Sequence, residues 1–556
     1  MKSIIFLLLL LMSIQVEAKY STKCGTDKLK IRPKPINLSK SSKMGSISKA
    51  TSYTPISIGY DFTTLEKPSS MSSSTFSNVK SLLQETRVEF SKILQIQHQK
   101  IDLSKYVADL IEVCGIDTIG EDYPNFLIEN DLIIFPMFDD LGAETLAAAA
   151  PCITDDNLRP IAGILYLNYD LNFNIKNTNL YMKNLLLHEI THILAFHPFF
   201  FQYLGMSRTI GSDSYIISKK VIEKAREHFN CNSLTEIQLE NQGGTGSVGS
   251  HWESRYMLGD YMISTDYPDV TISDLTLALF EDTGFYKVNY YSGGLFKFGK
   301  NKGCSFFNTK CIINEKAAFD DFCDVEDKPI CSSSRALKSV CYLGEGTEII
   351  PTQYQYFNNP YKGGFSFADY CPVPLYYDYD FLDYFPNHCL VGTLNSSYAY
   401  EETIGTDSLC FMSSLIPNSF ENELSSQIPV CYKVECDTSN NNIIVIVGTQ
   451  RITCPNEGGL VSNIDGLKGS IECPKYSDIC SSNDNLICNG MFDCFTKLAN
   501  KNNYNYQTSY YDYSGRTYDL YDDYYYDYFD GYDLFGSNNF EINLYVLLIC
   551  LILYIN

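Results

Sequence analysis

The sequence predicts an α+β core followed by a disulfide-rich, loop-rich C-terminal domain. Three observations carry this prediction. Helical runs over 72–95 and 180–194 bracket strand-like segments at 132–138 and 161–167. At 556 residues and 45% hydrophobic composition, the chain is long enough for two or three domains with full cores. Between residues 304 and 494 there are fifteen cysteines, set among Gly, Asn, Pro and Tyr without long periodic segments. Because fifteen is odd, at least one of these cysteines must pair outside the region if all are bonded; Cys231 is a reasonable mate if Cys114 and Cys152 bond together.

The first 18 residues open with Lys2, continue through an apolar stretch from Ile4 to Met12 and end Val16-Glu17-Ala18, which reads as a signal peptide and implies secretion. Twenty cysteines fit that oxidising route. Residues 19–48 are rich in Lys, Ser and Pro with little apolar periodicity, so they are expected to be a loosely folded, removable prosegment containing Cys24.

The helix over 72–95 is introduced by Ser72, Ser73 and Ser74 and carries Val79, Leu82, Leu83, Phe90, Ile93 and Leu94 on one side, the pattern of a helix packed on a sheet. The strand at 161–167 follows Arg159-Pro160, where proline suits an edge or a strand start. The run over 180–194 has apolar Leu185, Leu186, Ile190, Ile193 and Leu194, too many for a surface helix. Next, Gly243-Gly244-Thr245-Gly246-Ser247-Val248-Gly249 forms a flexible loop, and a helix near 273–282 stops before Gly284. The expected organisation is an N-terminal subdomain at 49–196, a central one at 197–300 and the cysteine-rich domain at 301–500. A Tyr/Asp-rich stalk at 501–537 follows, exemplified by Tyr521-Asp522-Asp523-Tyr524, with no core to bury.

Residues 538–556 form a hydrophobic tail. Its apolar run, 544–555, is shorter than the roughly 20 residues of a comfortable membrane span. Preceded by Gly536, Ser537 and Asn538, it reads as a glycosylphosphatidylinositol attachment signal, with a short span or a merely hydrophobic terminus as the alternatives. The formal charge of −24, with no Lys/Arg stripe, argues against nucleic acid as a partner.

Chemistry concentrates at His188-Glu189-Ile190-Thr191-His192. Two histidines four residues apart share a helical face and can hold zinc, which leaves Glu189 beside the metal-bound water. Without a metal, two histidines and a glutamate on a buried apolar helix would need other partners. Zinc needs a third protein ligand if a fourth position is to stay open. Of the other histidines, His98, His197, His228 and His388 compete with His251. His251 emerges from the glycine loop and precedes the only tryptophan, Trp252, which makes it the best candidate.

These residues resemble the leishmanolysin-like zinc metallopeptidases, a branch of the metzincins with a long insertion between the second and third ligands. The resemblance is carried by the HExxH, by Leu239-Glu240-Asn241-Gln242-Gly243-Gly244 with Gly249-Ser250-His251-Trp252-Glu253, by Asp260-Tyr261-Met262, and by Glu281-Asp282-Thr283-Gly284-Phe285-Tyr286. It covers roughly residues 50–500. It implies a metzincin-type core in which His188, His192 and His251 hold one catalytic Zn2+, Glu189 is the general base and Met262 forms the hydrophobic floor of a Met-turn. It further implies a protein or peptide substrate added as a strand, whose edge is expected over 160–167. Where the family has glycine three residues after the second histidine, this chain has Ala195. Cys24, in Lys23-Cys24-Gly25-Thr26-Asp27, resembles the family's cysteine switch, which blocks the open metal position until the prosegment is cut.

The expectation is therefore a secreted or surface-anchored zinc metalloendopeptidase. From another class, the alternative is a catalytically silent surface adhesion or binding protein retaining a structural zinc.

Overall fold

The computed structural model describes residues 29, 31–36, 52–98, 103–116, 130–142, 145–169, 179–265, 267, 270–290, 296–375, 387–390, 401–405, 407–420, 426–480, 509–511 and 517–519. The signal segment, Cys24 and the hydrophobic tail lie outside these residues. Two compact units are present, residues 1–506 and 507–556. In the second, Ser509–Tyr511 pairs antiparallel with Thr517–Asp519, a hairpin within the tract read from the sequence as a Tyr/Asp-rich stalk.

A five-stranded sheet organises the first unit. Its strands are β1 (Lys34–Pro35), β2 (Ile58–Tyr60), β3 (Leu132–Asp139), β4 (Ala147–Thr154) and β5 (Pro160–Asn168), in the spatial order β1-β4-β5-β3-β2. Strands β2, β3 and β5 run parallel to one another, with Ile58 opposite Leu132 and Ile133 opposite Ala162. β4 runs antiparallel to β5, and β1 lies parallel to the far end of β4. Pro160 does open its strand, where a missing N–H is tolerated. The strand itself is interior, however, so the edge expected over 160–167 is corrected: on that side the sheet continues outward into β4 and then β1. β1 comes from the stretch expected to be loosely folded. Ile36 is 4% exposed and its N–H donates to the Thr154 carbonyl at 2.9 Å, while Lys34 Nζ reaches Asp109 Oδ1 at 2.6 Å.

The crossover from β2 to β3 contains α1 (Ser73–Ile93), whose N-terminus is capped by Ser72 Oγ accepting from Thr75 N–H at 3.1 Å. The apolar side read from the sequence is the buried one: Val79, Leu82, Leu83, Phe90 and Ile93 all enter the main core, and Leu94 follows them. On the opposite face of the sheet, α2 (Val107–Cys114) packs Leu110 and Cys114 against Phe135, Ile153 and Ile164, with Cys114 bonded to Cys152 of β4.

The HExxH helix, α3 (Asn179–Leu194), lies directly on β5: a Cβ at Gly163 would collide with the Ile193 side chain. Leu186, Ile190, Ile193 and Leu194 are fully buried. A buried ion cluster ties α3 to α1, with Glu89 receiving Lys183 Nζ at 2.9 Å and Lys92 Nζ at 2.9 Å. Burial alone would raise the Glu89 pKa, but the two ammonium groups outweigh it and hold the carboxyl below its ordinary range.

Downstream, α4 (Lys219–Phe229) ends at Asn230 in the left-handed conformation and packs on α5 (Asp274–Asp282). The cysteine-rich region is more regular than its sequence promised. It contains a six-stranded antiparallel sheet with spatial order β9-β8-β7-β6-β11-β10, formed by β6 (Ser408–Ser413), β7 (Ile428–Asp437), β8 (Asn442–Val447), β9 (Gln450–Cys454), β10 (Gly459–Ser462) and β11 (Ser470–Cys473). Phe411, Tyr432, Val445 and Ile471 give this sheet a core of its own. Eight disulfides are formed among the described residues, and Cys231 bonds Cys304, the bridge leaving the cysteine-rich region that the odd count required.

Candidate metal centre

His188 and His192 project from one face of α3, one turn apart, and the glycine loop brings His251 to meet them. His188 Nε2 lies 3.0 Å from His192 Nε2 and 3.2 Å from His251 Nε2. Three side chains separated by up to 63 residues thus place their ligand atoms within 4.8 Å of one another, all buried. On each ring the other nitrogen faces a carbonyl: His188 Nδ1 is 2.6 Å from Tyr261 O, His192 Nδ1 2.7 Å from Phe196 O and His251 Nδ1 3.1 Å from Ser247 O, with Ser250 Oγ, which donates to Ser247 O at 3.4 Å, also 3.0 Å from His251 Nδ1. A carbonyl can only accept, so each Nδ1 carries the proton and each Nε2 presents a lone pair to the common centre.

Burial, the largest cause, lowers His188 to about 4 despite the Tyr261 carbonyl. Burial followed by repulsion from neighbouring imidazoles lowers His192 and His251 well below their ordinary value. All three are neutral at pH 7, the form that binds metal. Three converging lone pairs without protons repel one another, and a cation at their centre reverses that repulsion. The donor set fits zinc: three imidazole nitrogens, each with its other ring nitrogen facing a carbonyl, which is three of the four ligands that tetrahedral zinc takes. Glu189, between the two helix histidines in sequence, is fully buried beside them.

The loop that delivers His251 is held by main-chain bonds, Glu240 N–H to His251 O at 2.9 Å and Gly249 N–H to Glu240 O at 2.8 Å. Gly243 sits at φ 80° and a Cβ there would come within 2.6 Å of Phe367, so both conformation and space require glycine. Trp252, fully buried, stacks edge-on against Phe196 and donates Nε1–H to Thr276 Oγ1 at 2.8 Å. Thr276 in turn bonds Asp260 Oδ2 at 2.8 Å, and Asp260 Oδ1 accepts from Met262 N–H at 2.8 Å. Met262, expected beneath the metal, is fully buried in the turn whose Tyr261 carbonyl holds His188.

Ala195 leaves α3 without trouble. Among the described non-glycine residues with positive φ it does not figure, and the turn closes instead through Ala195 N–H and Phe196 N–H, both donating to Thr191 O at 2.9 Å. Tyr286 caps the end of the helix by donating to Leu194 O at 3.2 Å.

The four competing histidines have other posts. His98 bonds Asp131 at 2.7 Å, His228 bonds the Phe298 carbonyl at 2.8 Å, and His197 and His388 accept from the N–H groups of Phe199 at 3.1 Å and Leu390 at 3.0 Å. Sequence reasoning missed Thr191, whose hydroxyl meets the Tyr261 phenol, and Thr276 as the link between Trp252 and Asp260. Neither carries a local signal, because each partner comes from a different element.

A buried three-histidine centre on a HExxH helix, closed by a distant loop and the turn at Met262, is an arrangement that could hold a metal ion. A family model for leishmanolysin, peptidase M8, matches residues 77–486, and the chain belongs to that family. It is 27% identical over 410 residues to a leishmanolysin homolog of Crithidia fasciculata, covering 70% of this chain and 61% of that protein. To the leishmanolysin of Leishmania donovani it is 26% identical over 399 residues, 67% of this chain and 65% of the relative. A leishmanolysin-like peptidase of Caenorhabditis briggsae is 30% identical over 319 residues, 50% of this chain and 48% of the relative. The matched part of the chain thus spans less than two thirds of the length of these relatives.

Proposed function

We propose that the chain is a secreted or cell-surface zinc metalloendopeptidase with a metzincin-type core, hydrolysing peptide bonds of proteins. The observation that carries the reading is the convergence of three unprotonated Nε2 atoms whose Nδ1 partners are carbonyls. His188, His192 and His251 would hold the metal, and Met262 would lie beneath it. The chemistry that a bound zinc supplies is Lewis acidity toward water and the scissile carbonyl. Glu189 accepts the proton of the attacking water on its carboxylate and hands it to the leaving amine. Substrate adds as a strand on the β4 side of the sheet. There β4 is buried and its far end is already paired with β1, which favours reading 19–48 as a prosegment whose removal opens that edge, with Cys24 as its switch.

Eight disulfides support an oxidising, extracellular setting. Among the described residues no helix is long and apolar enough to cross a membrane. The tail at 538–556 is read as a glycosylphosphatidylinositol signal, which release from cells by a phosphatidylinositol-specific phospholipase tests. The catalytic reading is tested by Glu189→Ala in the purified, prosegment-free protein. Zinc should stay bound while hydrolysis of an unfolded protein substrate is lost; undiminished turnover overturns the assignment.

A further inference from the structure

The residue before Met262 holds the HExxH helix at two points. The Tyr261 carbonyl accepts the His188 Nδ1 proton at 2.6 Å, and the Tyr261 phenol lies 2.8 Å from Thr191 Oγ1. Thr191 already gives its single hydroxyl proton to Leu187 O, also at 2.8 Å, so the phenol is the donor in the second contact. His188 and Thr191 stand three residues apart and share a face of α3, which lets one residue of the turn engage both. Tyr261 is only 4% exposed, which shields both contacts from water. Its own backbone is anchored elsewhere, by its N–H donating to Thr271 O at 2.8 Å and by Asp260 gripping the next residue.

We infer that Tyr261 is a positioning residue for the metal centre: through Thr191 its phenol fixes the rotation of α3 against the methionine turn, so that His188 Nε2 stays turned toward His192 and His251. One side chain sets the helix angle and the same residue's carbonyl sets the imidazole tautomer. The inference rests on the reading of the triad as a zinc site.

The test is zinc affinity of the full-length protein, measured by competition with a chromogenic chelator, alongside the urea midpoint of each variant. Tyr261→Phe keeps the ring and the carbonyl but removes the phenol, and it should weaken zinc binding about tenfold or more. Thr191→Val should do the same, Thr191→Ser should bind as wild type, and the double variant should be no weaker than either single change, because both remove one contact. Wild-type zinc affinity in Tyr261→Phe overturns the inference, as do losses in the two single variants that simply add. A hydrogen bond that served only the fold would lower the urea midpoint and leave zinc affinity unmoved, and that result also overturns it. His251→Ala, measured in parallel, separates the two levels. If it abolishes tight zinc binding while Tyr261→Phe does not weaken it, the positioning role alone fails; if His251→Ala leaves zinc binding intact, the triad reading fails and the inference with it.

Discussion

His197 stands five residues beyond His192, yet its surroundings give it a different task. It is 8% exposed, and its Nδ1 accepts from Phe199 N–H at 3.1 Å, capping the short helix Pro198–Tyr203. Burial pushes His197 down to about 4, below the roughly 6.5 of an unfolded histidine. A depressed folded value means the neutral ring stabilises the fold fully above pH 6.5, and that contribution is lost as pH falls toward 4, on the order of 3 kcal/mol in all. His197→Asn supplies a capping oxygen that does not titrate. Urea unfolding at pH 7.5 and pH 5 should therefore show a smaller drop in the variant than in wild type, and an equal drop would refute this role. The comparison of His197 with His192 also marks what the sequence could reveal. The four-residue spacing of His188 and His192 is legible because helical geometry is local, and His251 is legible because glycines announce the loop before it. The Tyr261–Thr191 contact is not, since it joins residues 70 apart through the way two elements dock.

Between elements, the same division holds. α1 and α3 declared themselves by apolar periodicity, whereas the charges joining them did not: Lys183 and Lys92 meet Glu89 inside the core, at 3% and 5% exposure for the lysines. Removing the shared carboxylate leaves two ammonium groups where water cannot solvate them fully, although Glu85 still lies 3.3 Å from Lys183. Glu89→Ala should accordingly destabilise the protein by about 3 kcal/mol, read from urea denaturation with the slope unchanged. A cost below 1 kcal/mol would mean that the pair is solvated and that apolar packing alone sets the helix angle. The strands illustrate a subtler failure of sequence reading. β5 was recognisable from its β-branched and aromatic residues, but its place in the sheet was not, because β4 opens with Ala147-Ala148-Ala149-Ala150, residues of low strand propensity. Missing β4 turned an interior strand into an apparent edge. Pairing of all four alanines with β5 overrides their propensity, as burial on both faces of a sheet commonly does.

At the scale of the whole molecule, residues 1–506 form one compact unit whose apolar core is nonetheless divided. His188, His192 and His251 are embedded in the cluster that includes Met182, Ile190, Trp252 and Met262, while β6 to β11 close around Phe411, Tyr432 and Val445. Disulfides follow this division: Cys454–Cys473 staples the C-terminal sheet internally, Cys436–Cys480 ties it to the short helix Tyr476–Ile479 that follows, and Cys331–Cys410 ties it to the segment before it. An excess of cysteine in the sequence was readable as stapling, but cysteine count carries no register, which is why an ordered six-stranded sheet looked like loops. If the cores are energetically separate, damage to one should not reach the other. Cys454 and Cys473 are 19 residues apart in sequence and close β9 onto β11. Replacing both with alanine releases a loop whose closure is worth about 3 kcal/mol in chain entropy. The expected outcome is faster proteolytic cutting confined to residues 408–480, with zinc stoichiometry and turnover of a short peptide unchanged. Loss of zinc in step with the cutting would show instead that the C-terminal sheet buttresses the centre, and would move the boundary between the two cores to a place that the burial pattern does not mark.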